Sequence, residues 1–70
     1  MITNYSRVKL LTDKFQSEGV KSGDIGYVIE VYGDHNYEVE FSNDHGITIA
    51  QIVAHENELE VNEPTQTDKP

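Results

Sequence analysis

Three histidines, His35, His45 and His55, recur at intervals of ten, each beside a carboxylate: Asp34, Asp44 and Glu56. Imidazole and carboxylate are both zinc ligands. A strand between His35 and His45 puts those two at opposite ends of a small domain, whereas His35 and His55 can share an end. One end then offers two histidines plus Asp34 or Glu56. Solvated turn histidines account for the pattern, and neither a metal nor another cofactor is expected. Glu38 and Glu40 alternate on one face of a strand, with Glu30 on the strand beside it. Paired carboxylates act as acid and base in glycoside hydrolysis, but that chemistry needs a cleft. A chain of 70 residues encloses little volume. The three glutamates are therefore read as an exposed sheet face, and a flat acidic patch suits a basic protein surface.

Gly23-Asp24-Ile25-Gly26 lacks the helix, the lysine and the spacing of a phosphate-binding loop, and is read as a turn. There is no cysteine, which leaves Ser, Thr and Tyr as nucleophiles. No serine stands in the strand–turn–helix context of a nucleophile elbow. Without a catalytic set, the chain is not expected to be an enzyme. Of the four tyrosines, Tyr27 and Tyr37 are assigned mostly to the core. Tyr5 and Tyr32 are assigned at least partly to the surface, where tyrosine anchors interfaces at low entropic cost.

Short strands must position these groups. Tyr5–Leu11 sets Val8 and Leu10 against Arg7 and Lys9, and is strand one. Asp13–Gly23 is a loop with Phe15 and Val20 as apolar anchors and room for one helical turn around Asp13–Gln16. Tyr27–Tyr32 is strand two, apolar on both faces near its start, as a β-bulge or a strong bend would require. Gly33–Asn36 is a hairpin loop. Tyr37–Phe41 alternates strictly, Tyr37, Val39 and Phe41 one way and Glu38 and Glu40 the other. Ile47–Val53 is strand four, with Ile47, Ile49 and Val53 on one face and Thr48, Ala50 and Ile52 on the other. A tight turn at Ala54–Asn57 leads to the closing strand Glu58–Val61. Residues 1–61 form the domain. Residues 62–70, with two prolines and no apolar anchor, are expected to be a disordered tail.

Five strands in so short a chain cannot make an immunoglobulin sandwich, which needs roughly a hundred residues. The expected fold is all-β, a small five-stranded, strongly bent SH3-like barrel, because closure also protects strand edges. The formal charge is −8, from 13 acidic and 5 basic residues. Arg7, Lys9, Lys14 and Lys21 precede Ser22, and no further cation occurs before Lys69. Phosphate contacts need Lys or Arg in numbers, so nucleic acid is not the expected partner. Nothing reads as a signal peptide or a membrane span, and the expected location is cytoplasmic.

The run Gly23-Asp24-Ile25-Gly26-Tyr27-Val28-Ile29-Glu30-Val31-Tyr32, then Tyr37-Glu38-Val39-Glu40-Phe41, then Asp44-His45-Gly46-Ile47-Thr48-Ile49-Ala50, resembles a family of short uncharacterised bacterial proteins filed as a domain of unknown function. The resemblance covers roughly Val8 to Val61. It implies an SH3-like barrel and offers no catalytic residue to transfer. It also implies the company of antitoxin or immunity proteins. The function expected is a small acidic protein-binding module of that inhibitory kind, occluding a basic, toxin- or nuclease-like partner. Glu30, Asp34, Glu38 and Glu40 are its acidic contacts and Tyr32 its anchor. The alternative is a nucleic-acid-associated module using Arg7, Lys9, Lys14 and Lys21 around the basic N-terminal strand.

Overall fold

The computed structural model describes residues 2–63 of the 70. Five strands follow one another: β1 (Arg7–Leu10), β2 (Ile25–Val31), β3 (Asn36–Ser42), β4 (Thr48–His55) and β5 (Leu59–Val61). Two 3₁₀ turns, Gln16–Glu18 and Glu56–Glu58, are the helical elements among the described residues. All strand pairs are antiparallel, in the order β4-β3-β2-β1-β5.

The strongly bent SH3-like barrel expected from the sequence does not form. The five strands form an open antiparallel sheet that is neither closed nor strongly curled, with β4 and β5 as its edges. Closure needs a ladder between the edges, and among the described residues neither edge extends one. β5 has three residues. At the end of β4 the His55 N–H is taken by the Glu58 carboxylate at 2.9 Å, which turns the chain into the 3₁₀ turn Glu56–Glu58.

One face carries the core. Alternation in β1 and β3 buries Val8, Leu10, Tyr37, Val39 and Phe41, and Val28, Ile52, Ala54 and Leu59 join them from β2, β4 and β5. Ile2 and Val20 close over this face, with Phe15 packed at its margin. The 11–24 loop that carries Val20 is tied down at both ends. The Leu10 N–H donates to the Asp24 carbonyl at 2.9 Å, and the Gly23 N–H to the Leu10 carbonyl at 2.7 Å. Inside it, the Ser22 N–H reaches the Asp13 carboxylate at 2.8 Å.

Strand one is shorter than read from sequence because Tyr5 takes a left-handed φ of 69° and bends the chain. Tyr27, assigned to the core, is 49% exposed: it lies opposite Glu40, which faces outward. In the predicted tail, Asn62 and Glu63 are held to β1. The Asn62 N–H donates to the Arg7 carbonyl at 2.8 Å, and the Arg7 N–H donates to the Glu63 carboxylate at 3.0 Å. The Arg7 guanidinium donates to the Asn62 carbonyl at 2.8 Å and to its side-chain oxygen at 3.0 Å. Residues 64–70 of the expected tail lie outside the described residues.

Candidate functional site

The sheet's outer face carries the acidic side chains. In the β2–β3 ladder Tyr27 pairs with Glu40 and Val28 with Val39, then the register shifts and Glu30 pairs with Glu38. Without that bulge the first register would run Glu30 opposite Tyr37, on the buried face. The extra residue, Ile29, turns Glu30 outward beside Glu38. Two carboxylates directly opposite each other destabilise a sheet, so this pair costs stability as it stands.

Each β3 glutamate has one hydroxyl donor. Tyr32, at the end of β2, donates its phenol to Glu38, and Thr48 of β4 donates to Glu40. The bond to Glu38 is the largest influence on Tyr32 and holds its phenol above the usual tyrosine range. Desolvation and the charges of Glu38 and Glu30 act in the same direction. Tyr27, Tyr32 and Val53 surround the carboxylates with partly exposed apolar surface. The face is thus a shallow patch of three carboxylates with apolar neighbours.

Four of the five expected contact residues, Glu30, Tyr32, Glu38 and Glu40, come together on this face. Asp34 sits instead at the tip of the β2–β3 hairpin. There Asp34 and His35, with φ of 61° and 63°, form a type I′ turn closed by the Asn36 N–H on the Gly33 carbonyl at 3.4 Å. Sequence reasoning missed Thr48, Tyr27 and Val53 as members of the face. Thr48 is set by the β3–β4 register, which no local pattern shows.

The four described cations are engaged elsewhere. Lys9 pairs with Glu60 at 3.7 Å, Lys14 with Glu58 at 2.6 Å and Lys21 with Asp24 at 3.2 Å, while Arg7 holds Asn62. At Glu58, burial is the largest influence and works to raise its pKa. The hydrogen bonds from Lys14 and from the His55 N–H, with the charge of Lys14, outweigh it and hold the carboxyl below the usual range.

The histidine end forms a second feature. His35 Nδ1 lies 2.9 Å from Glu56, and the His35 and His55 rings are 6.2 Å apart. They line an open groove of about 480 Å³ with Ile2, Asn57, Leu59 and Val61. His55 Nδ1 accepts the Asn57 N–H at 3.2 Å, so one of its ring nitrogens serves the cap of the 3₁₀ turn. His45 lies in the β3–β4 loop, where its N–H meets the Asn43 side chain. Among the described residues, no group of three or more His, Asp or Glu side chains is placed to hold a metal.

These features define a single-sheet, all-β domain with an acidic outer face. The chain belongs to the family described as Domain of unknown function (DUF4926), whose model matches residues 4–61. No curated protein and no solved structure matches it. Among the described residues, no helix is long and apolar enough to cross a membrane.

Proposed function

We propose that this chain is a non-enzymatic protein-binding module whose outer sheet face receives a basic protein surface. The observation that carries this reading is the Glu30–Glu38 pair beside Glu40, with every described cation committed elsewhere. A sheet that sets like charges opposite each other pays for it in stability, and a cationic partner would relieve that repulsion on docking. Tyr32 and Tyr27 supply area for an anchor at low entropic cost. The nucleic-acid alternative is weakened by the same accounting of Arg7, Lys9, Lys14 and Lys21. The antitoxin or immunity role implied by the resemblance gains nothing from the family's description, which gives no function.

The test is capture from a bacterial lysate with the wild-type chain and the Glu38→Lys/Glu40→Lys variant as parallel baits. Retained proteins are identified by mass spectrometry at low and high salt. The reading expects a basic protein held by the wild type and released at least about tenfold more readily by the variant, at equal melting temperature. Recovery of RNA alone, or equal retention by both baits, refutes it.

A further inference from the structure

The two edges of the sheet are built differently. β5 is short, and Glu58, Glu60 and Glu63 lie in or beside it. β4 has eight residues, and Gly46–Ala54 carries no ionisable side chain. Ile47, Ile49 and Val53 are all about half exposed or more. Proteins blunt such edges with lysine, proline, charge, bulges or brevity; β4 has a register shift beyond Ala50, but from Ala50 to Ala54 it runs regular and uncharged.

The ladder shows which groups the edge offers. The Glu56 N–H donates to the His35 carbonyl at 2.8 Å, so His35 and Glu56 form a hydrogen-bonded pair. Pairs alternate along an antiparallel ladder. Ala54, Ile52 and Ala50 therefore bond to β3, whereas Val53 and Gln51 turn their N–H and C=O groups away from it. His55 turns the same way, but its N–H is already held by Glu58. The register shift beyond Ala50 breaks the pattern towards Thr48. Between that shift and His55, the free set among the described residues is thus the N–H and C=O of Gln51 and Val53.

We propose that this edge pairs antiparallel with the β4 edge of a second copy of the chain, with Ile52 on the two-fold axis. In that register Gln51 faces the second copy's Val53 and Val53 its Gln51. The Gln51 and Val53 donors and acceptors of each copy are then satisfied. Ile52 meets its own counterpart at the closer, non-hydrogen-bonded position. The uncharged strand favours its own copy over a cationic segment, for which the edge itself offers no carboxylate. The acids stand back from the contact: Glu38 lies three strand spacings, about 14 Å, from the second copy's Glu40. That exceeds the screening length of about 8 Å at physiological salt, so repulsion between two chains of charge −8 is damped. The contact leaves the acidic face open and stands apart from the binding function proposed above.

Sedimentation of the purified chain over a range of concentrations, at low and high salt, tests this together with residue-resolved amide exchange. The expected result is a reversible dimer strengthened by salt, with Gln51 and Val53 amides exchanging more slowly as concentration rises. Gln51→Pro removes a donor that the folded monomer does not use. It should weaken the dimer at least about tenfold while the fold is kept. A monomer at every concentration, or a dimer in which those two amides exchange at an unchanged rate, overturns the proposal. Because exchange is read on the wild type, the result stands even if the proline variant fails to fold.

Discussion

At Gly26, β2 is pressed closely onto β3. This glycine is buried in β2, opposite Val8 of β1. A Cβ added there would lie 2.8 Å from the Glu40 carbonyl oxygen, 2.8 Å from a Val39 methyl and 2.9 Å from the Phe41 ring. Comfortable carbon contacts begin at about 3.5 Å, so the two strands would have to part by roughly 0.7 Å. One obstacle is backbone, which cannot rotate aside. Overpacking of this kind costs about 1–3 kcal/mol, and the stiffer unfolded chain of an alanine variant offsets about 0.4–1 kcal/mol. Gly26→Ala should therefore lose about 1–2 kcal/mol in urea denaturation. For a domain of this size that lowers the melting temperature by roughly 5–15 °C. Gly33→Ala is the control, because nothing lies within 4 Å of its added Cβ and its φ is not left-handed. It should gain about 0.4–1 kcal/mol. A Gly26→Ala protein as stable as the wild type would refute the reasoning, as would an equal loss from both substitutions.

His35→Gly should stabilise the domain by about 1 kcal/mol in the same denaturation assay, since His35 holds a left-handed φ of 63°. The exposed contact with Glu56 that it gives up is worth little. Glu38→Gln should bring the Tyr32 phenol back towards its ordinary titration, seen in the alkaline difference spectrum. Because the folded value is raised, this group's contribution is present below about pH 10 and is lost as pH rises through the folded value. Glu58 behaves in the opposite sense: its folded value is lowered, so its contribution is present above about pH 4.3 and lost as pH falls through the folded value. Melting curves of Lys14→Gln should therefore lie below wild type at neutral pH and converge with it in acid.

What was legible in the sequence was the local alternation. Tyr37–Phe41 reads inward and outward by residue, and the structure keeps that assignment through Tyr37, Val39 and Phe41 in the core. Closure of the sheet was not legible, because it depends on whether residues far apart in sequence form a ladder, and no local pattern records that. Tyr27 was misplaced for a related reason. Its side is fixed by pairing with Glu40, and an aromatic residue beside Val28 and Ile29 gives no local sign of facing outward. The attachment of Asn62 and Glu63 to Arg7 is likewise a long-range match of backbone and polar groups, hidden in a segment whose composition reads as tail.

The candidate face shows how one irregularity carries both kinds of information. Tyr27–Tyr32 is apolar at consecutive positions, which a regular half-buried strand cannot accommodate and a bulge can. That much is local. The consequence is not: from the bulge at Ile29 onward every β2 side chain changes face relative to the Val28–Val39 register. Glu30 moves from the side of Tyr37 to the side of Glu38, and Val31 takes the place opposite Tyr37. A strand without the extra residue would bury Glu30, at a cost of several kcal/mol for an unpaired charge. The bulge thus spares the core a carboxylate by adding it to an acidic face that already holds Glu38 and Glu40. The like-charge repulsion on that face is the smaller penalty of the two, on the order of 1 kcal/mol or less.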